Sequence, residues 1–312
     1  MVIFQAIQMS KTKIFDAIIV GGSYAGLSAA MALGRALRNV LVIDSGLPCN
    51  RQTPHSHNFI TQDGERPDAI AEKARMQVLN YPTVRFLKGL VVSGKKTKGG
   101  FSITAQSGEK FNARKLIFAT GVKDILPDIQ GFSACWGISA IHCPYCHGYE
   151  VRAQRTGILA NGNDAFHYAQ LIKNWTKDLI IFTNGKSTIT KDQIKIISRH
   201  NIQVIEKKVA HLKHKDGHIQ QIVFKDNSSL KLQAIYSRPA FKQHCDIPEQ
   251  LGCELNEQGL LKTDIMHQTT LEGVFVCGDA SSPARAVAVA VSTGLIAGSS
   301  LNNKLTEEEF GK

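Results

Sequence analysis

The segment from Phe15 to Asp44 constrains the fold more than any other part of the chain. Phe15-Asp16-Ala17-Ile18-Ile19-Val20 is a nearly unbroken apolar run, as expected for a strand buried on both faces of a parallel sheet. Gly21-Gly22-Ser23-Tyr24-Ala25-Gly26 follows at once. Leu27 to Leu37 reads as a helix, and Val40-Leu41-Val42-Ile43-Asp44 as a second buried strand ending in an acid. Strand, glycine turn, helix, strand and acid in this order form the pattern of a dinucleotide-binding βαβ unit. Gly21 allows the tight turn and Gly26 lets helix and strand pack closely. The helix N-terminus, with its N–H groups and positive dipole end, is suited to a pyrophosphate. Asp44, eighteen residues beyond Gly26, is placed to bond ribose hydroxyls. Ser23 stands where the pattern has its middle glycine, which is one departure.

Residues 68–80 have the apolar spacing of an amphipathic helix, and alternating strands with glycine turns are expected over 84–111. Lys115 to Phe118 is another apolar strand, ending in Ala119-Thr120-Gly121, where glycine lets the backbone pass close to a ligand. A second βαβ unit is expected from Thr156. It comprises a strand over 156–159, a turn over 160–165, a helix over 165–175 and a strand over 178–182. Ala160 replaces the first glycine of that turn. The strand leads into Thr183-Asn184-Gly185-Lys186, with neither the acid that suits NAD nor the arginines that suit a 2′-phosphate. The pattern of a nucleotide domain is kept and its recognition groups are missing. A purely structural domain and an unusual cofactor site both fit. Gly273 to Ala280 returns to strand character and ends in Gly278-Asp279, before a small-residue helix over 285–300 that opens with Arg285. A strand-end carboxylate beside a helix N-terminus can bond a polyol chain while the helix faces phosphate. The first fingerprint and this late Gly-Asp, with another βαβ unit between them, predict one domain built from two distant pieces.

Between the two βαβ units lies Ser139-Ala-Ile-His142-Cys143-Pro144-Tyr145-Cys146-His147-Gly148-Tyr149-Glu150. A Cys-x-x-Cys pair can close a small disulfide ring, and one of its thiols often has a lowered pKa. A neighbouring histidine can stabilise that thiolate or move its proton. Three readings compete: a redox dithiol, a c-type haem attachment (Cys143-x-x-Cys146-His147 matches literally), and a zinc site. The motif alone does not choose among them.

Composition narrows the field. Hydrophobic residues make up 43% of the 312, enough for the core of two ordinary domains. No apolar run approaches the ~18 residues of a membrane helix. Residues 1–9 are apolar but lack a basic leader and a small-residue cleavage site, so no signal peptide is expected there, and Met9 is an alternative start. Seven cysteines without export suit a reducing cytoplasm. The net charge of +11 is spread over scattered lysines without interleaved aromatics, which points to a solvated surface and away from nucleic acid. Without export, haem attachment is disfavoured. Zinc needs two separated ligand pairs around a tetrahedron, and His142 with Cys143, like Cys146 with His147, are adjacent. No metal is expected. Cys49, Cys135, Cys245, Cys253 and Cys277 read as small apolar side chains.

With these segments in register, the chain resembles the low-molecular-weight thioredoxin reductase family of flavoproteins over nearly its whole length. The likeness rests on Gly21–Gly26, Ala119-Thr120-Gly121, Ser139-Ala140 leading to Cys143 and Cys146, the turn at 160–165, and Gly273 to Asp279. It implies an α/β protein of two Rossmann-like, three-layer nucleotide-binding domains, the second inserted into the first. FAD is implied between residues 1–123 and 243–312, and an NAD(P)-binding-like domain carrying the cysteines at 124–242. Gly21, Ser23, Gly26, Asp44, Asn58, Thr120, Gly121, Gly278, Asp279 and Arg285 become the implied FAD-binding residues. Within Pro54-His55-Ser56-His57-Asn58, the histidines are equally suited to lining a loop. The family implies a homodimer acting on a small dithiol or disulfide, or on a thioredoxin-like protein.

Two departures stand out. His147 occupies the position of the reductases' aspartate, and the arginine motif for NADPH is lost, leaving a nicotinamide cofactor without its usual recognition groups. Both are similar to the branch of gliotoxin and holomycin dithiol oxidases, which shares a Cys-Pro-aromatic-Cys-His-Gly-Tyr-Glu segment. That branch implies an FAD-dependent thiol oxidase with oxygen as a candidate acceptor. Cys143 is then the outer thiol exchanging with substrate, Cys146 the thiol nearer the flavin, and His147 the acid/base. An NAD(P)H-dependent thioredoxin-disulfide reductase and a non-catalytic redox-sensing flavoprotein are the alternatives.

Overall fold

The computed structural model describes residues 14–311. The readings made for residues 1–9, Met9 included, lie outside the described residues. The chain divides into two compact units. The first holds residues 14–49, 70–123 and 242–311, and the second holds 50–69 and 124–241.

The first unit is built on a seven-stranded sheet. Strands Val84–Lys88, Val40–Asp44, Phe15–Val20 and Lys110–Phe118 lie side by side and parallel. The second half of Lys110–Phe118 also pairs in parallel with Val274–Val276, Leu116 opposite Val274 and Phe118 opposite Val276. Its first half pairs antiparallel with Gly100–Ala105, which pairs in turn with Val91–Thr97. One long strand thus joins residues from three distant parts of the sequence. Ala17 and Ile19 point to one apolar cluster and Ile18 and Val20 to another. This is why the strand reads as a run rather than as an alternation.

Helices Tyr24–Arg35 and Val287–Phe310 cover one face of this sheet together. They touch through glycine. A Cβ at Gly294 would fall 2.2 Å from the Ala25 carbonyl oxygen, and one at Gly298 would fall 2.8 Å from that of Ala29. The Ser28 hydroxyl donates to the Val291 carbonyl at 2.7 Å across the same seam. The first helix starts a turn before the expected Leu27. The last runs past the expected Ser300 to Phe310, because Leu301 and Leu305 extend its buried stripe. Glu308 and Glu309 sit where the helix dipole disfavours anions. They are neutralised by Lys115, Arg114 and Arg38, and Arg38 also bonds Asn302 and Thr306. The bonds from Arg38 and Arg114 hold the Glu309 carboxyl down at about 2.

The second unit has a parallel five-stranded sheet, in the order Gln203–Ile205, Leu179–Phe182, Thr156–Leu159, Ala234–Ser237 and Ala140–Ile141. Helices Gly162–Ile172 and Lys191–Arg199 accompany it, with an antiparallel sheet of Val209–Lys215, His218–Phe224 and Ser229–Lys231. Residues 50–69 pack with this unit, although the sequence reading assigned them to the 1–123 segment. Gln52 donates to the Ser133 carbonyl at 3.3 Å, and Thr53 Oγ1 lies 3.1 Å from where a Gly137 Cβ would stand. Among the described residues no helix is long and apolar enough to cross a membrane.

The helix seam gives a prediction with a definite sign. On propensity alone, Gly294→Ala should stabilise a helix by up to ~1 kcal/mol. The approach to the Ala25 carbonyl makes it an overpacking change instead, and we expect a loss of roughly 1–3 kcal/mol in urea unfolding. Gly99→Ala, with no atom within 4 Å of the added methyl, should stay near wild type.

Candidate active site

The expected nucleotide-binding residues of the first unit converge where its parallel strands end. Gly21 has φ +102°, and a Cβ there would lie 2.4 Å from the Ala119 carbonyl oxygen. A Cβ at Gly26 would lie 1.9 Å from the Gly21 carbonyl oxygen. The turn is therefore closed against both the helix and the neighbouring strand, and no side chain fits. Asp44 Oδ1 accepts from the Gly22 N–H at 3.0 Å, which ties the second strand's acid to the turn. Ser23 is the helix N-cap in extended conformation, and its side chain makes no capping bond.

Gly278 (φ +70°) comes in beside Ala25, 3.0 Å from its Cβ position to the Ala25 methyl, and donates its N–H to Thr293 Oγ1 at 3.0 Å. Asp279 Oδ2 lies 3.4 Å from Arg285 Nε. Thr120 and Gly121 (φ +63°) follow the strand that carries Ala119, and Thr120 Oγ1 is buried with no hydrogen-bond partner. Asn58 lies in the 50–69 stretch of the second unit, with φ +59° and its N–H donating to Asp63 Oδ1 at 2.7 Å.

In the second unit, strand Ala140–Ile141 delivers the chain to Cys143, the N-cap of the one-turn helix Pro144–His147. Pro144 takes the first helical position, where a missing N–H costs nothing. Cys143 and Cys146 form a disulfide with Cα atoms 5.3 Å apart. Cys143 Sγ also accepts the Cys146 N–H at 3.2 Å, a bond that favours negative charge on this sulfur once the disulfide opens. Gly148 follows, donating to the Pro144 carbonyl at 2.7 Å. A Cβ at Gly148 would come within 3.0 Å of both Trp175 Nε1 and the Tyr236 hydroxyl, so the helix is backed against a wall. Tyr145 meets Trp175 edge-on, with ring centroids 5.6 Å apart.

His147 is partly buried, and burial lowers its pKa. Glu150 pulls it up and His57 pushes it down, with burial prevailing. The ring is therefore neutral near pH 7 and able to accept a proton. His57 Nε2 lies 3.5 Å from Glu150 Oε1, and its Nδ1 lies 3.7 Å from Asp63 Oδ1. His142 stacks on Trp136 at 5.9 Å, a packing contact. His55 Nδ1 lies 2.9 Å from the Gly64 carbonyl oxygen in its own loop. Burial raises the thiol pKa of Cys135, Cys245 and Cys253, and pushes that of Cys277 up to about 12, so these four are poor nucleophiles. The sequence reading gave no role to Glu150. Its spacing three residues after His147 was the available signal.

At the second glycine turn, Asn161 caps helix Gly162–Ile172. Its Oδ1 accepts from Gly162 N–H at 2.9 Å and Thr188 N–H at 2.8 Å, and its Nδ2 donates to the Lys186 carbonyl at 2.9 Å. A Cβ at Gly162 would lie 3.0 Å from Thr188 Oγ1. Residues 186–188 thus lie across the turn, and the Thr183 hydroxyl folds back on the Gly185 carbonyl at 2.6 Å where an acid would otherwise end the strand.

Comparison with known proteins agrees with this arrangement. A family model described as pyridine nucleotide-disulphide oxidoreductase matches residues 15–294. The chain is 32% identical to thioredoxin reductase sirT of Leptosphaeria maculans, over 93% of this chain and 94% of that one. It is 32% identical to thioredoxin reductase tcpT of Claviceps purpurea, over 97% and 98%. Among solved structures, an oxidoreductase from Agrobacterium tumefaciens superposes with a TM-score of 0.89 at 38% identity, covering 95% of this chain and 99% of that one. Such a family implies FAD. The first unit fits that group: its glycine cradle excludes side chains, and the buried Thr120 hydroxyl still has an acceptor and a donor to satisfy. This chain carries both a disulfide at a one-turn helix and a glycine turn closed by distant segments. It belongs to the pyridine nucleotide-disulphide oxidoreductase family, as a thioredoxin reductase-like enzyme acting on sulfur groups.

Proposed function

We propose that the protein is an FAD-dependent thiol oxidase that converts a small dithiol to its disulfide and takes no electrons from NADPH. The observation that carries this reading is the second glycine turn, where the Asn161 side chain bonds the Gly162 N–H, the Lys186 carbonyl and the Thr188 N–H in the place a nicotinamide cofactor's phosphates would need. The absence of a strand-end acid or arginines after Phe182 supports it. So does His147 at the position where the reductases carry an aspartate.

FAD would be held by the Gly21–Gly26 turn, Asp44, Thr120 and Gly278-Asp279, with Arg285 beside Asp279. Asn58 stays a candidate from the family pattern only. His147, neutral near pH 7, takes a proton from a substrate thiol. The resulting thiolate attacks Cys143 Sγ, the Cys143–Cys146 bond breaks, and Cys146 leaves with the electron pair and is protonated. The second substrate thiol loses its proton, attacks the substrate sulfur of the mixed disulfide, and releases Cys143. The substrate has then lost two electrons and two protons, and both cysteines are reduced. Bound FAD supplies a two-electron acceptor for this dithiol, with oxygen as terminal acceptor. Tyr145 and Tyr149, 63% and 66% exposed beside the cysteines, offer aromatic surface to a small substrate. The five unbridged cysteines suit a reducing cytoplasm, and the family pattern suits a homodimer.

Two experiments test this reading. Anaerobic stopped-flow mixing with micromolar NADPH should reduce the flavin slowly or not at all. Two missing charge-assisted bonds, about 1.5–3 kcal/mol each, weaken binding by roughly two to four decades. Reduction at ordinary reductase rates would overturn the oxidase reading in favour of an NADPH-dependent reductase.

Oxygen uptake with dithiothreitol should vanish in Cys143→Ser and Cys146→Ser with FAD retained, and should fall about 10²–10⁴-fold in His147→Ala. Turnover should decline as pH falls through the lowered pKa of His147. Because Glu150 raises that pKa, Glu150→Gln should move the acid limb to still lower pH. If both serine variants turn over normally, as a redox-inactive cysteine pair would allow, the dithiol is not the reacting group.

A further inference from the structure

We propose that Arg75 is a specificity-determining residue for the adenosine half of the cofactor, a role that rests on the FAD reading of the first unit. Arg75 lies on helix Pro67–Leu79, far in sequence from the glycine fingerprint, and no motif marks it. Four groups of the first unit meet at the end of strand Val40–Asp44. Asp44 uses one oxygen, Oδ1, on the Gly22 N–H at 3.0 Å. Its other oxygen, Oδ2, lies 3.6 Å from Arg75 Nη2. The Arg75 guanidinium sits over the Phe86 ring, 5.5 Å from its centroid. Phe86 in turn lies 3.3 Å from where a Gly22 Cβ would stand, so ring, turn and carboxylate form one wall.

The Arg75 side chain also has surface left over for a ligand. Its side chain is 40% exposed although one face rests on Phe86. A planar cation stacked on one side and open on the other is a platform for a second aromatic ring. A strand-end acid in this fold bonds ribose hydroxyls, and here Asp44 Oδ2 is the oxygen that the Gly22 N–H does not use. The ring attached to such a ribose is adenine. Arg75 therefore holds Asp44 in the ribose-bonding orientation and presents its outer face to the purine. Lysine would keep the charge and lose the plane.

The test uses the full chain after its flavin is removed, with FAD and FMN as probes and flavin fluorescence as the readout. FMN lacks the adenosine half. Arg75→Ala should weaken FAD binding by roughly 10–30-fold, the size of a partly desolvated cation–π contact, and leave FMN binding within about twofold, given that FMN does not reach this wall. Arg75→Lys should fall between Arg75→Ala and wild type. Unchanged FAD affinity in Arg75→Ala overturns the inference and leaves the FAD reading standing. Equal losses for FAD and FMN also overturn it, since they mark a general defect of the fold. Wild-type protein that binds neither flavin removes the FAD reading itself, and this inference with it.

Discussion

Everything in the first unit depends on backbones approaching where no side chain can stand. The Gly21 turn is pressed against the Ala119 carbonyl, Gly26 against Gly21, and Gly294 against the Ala25 carbonyl. These contacts bring helix Tyr24–Arg35 down onto the sheet and the last helix down onto the first. They also leave the first helix's N-terminus at the ends of the parallel strands, where dipole and N–H groups favour phosphate. At Gly26 and Gly294, both inside helices, a methyl group sets packing against the local preference for a more helical residue. At Gly21 the left-handed backbone and the close approach both call for glycine.

The second unit solves a different problem, that of holding a reactive sulfur pair in a fixed pose while letting protons move. The one-turn helix is too short to be stable by itself. It is fixed by the disulfide, by Pro144 at its start, and by Trp175 and Tyr236 behind Gly148. His147 is tuned by opposing effects. Burial and His57 favour the neutral ring, and Glu150 favours the charged one. A carboxylate at this position, with an ordinary pKa near ~4, would be a much weaker base at neutral pH. In the proposed oxidase, a neutral imidazole here would favour deprotonating incoming thiols.

Much of this was legible in the chain itself, for physical reasons that also explain the gaps. Strands buried on both faces leave unbroken apolar runs, so Phe15–Val20, Val40–Asp44 and Thr156–Leu159 appear at their observed limits. Glycines required by close approach are visible as motif positions. Residues 50–69 have no periodic pattern, and their attachment to the second unit is made by single tertiary bonds such as Gln52 to Ser133. Polar residues after Ser300 read as a helix end, because their partners Arg38, Arg114 and Lys115 lie hundreds of positions away. Arg75 looks like any exposed helical arginine until the fold sets it beside Asp44. Asn161 reads only as part of the turn over 160–165, and its bond to Thr188 is invisible without the loop.

The long strand Lys110–Phe118 has a consequence for biosynthesis. It waits at the centre of its sheet for Val274–Val276, and the first helix waits for Gly294. On the ribosome, residues 124–241 emerge with all the strands of their own parallel sheet and can close a core early. The first unit must hold an open strand edge and an uncovered apolar helix face until the last part of the chain is made. During that interval it is exposed to aggregation. The proposed cofactor cradle would draw on residues from Gly21 to Arg285, so a cofactor held there would bind only after those distant segments have met, and by binding the folded state alone it would add to that state's stability.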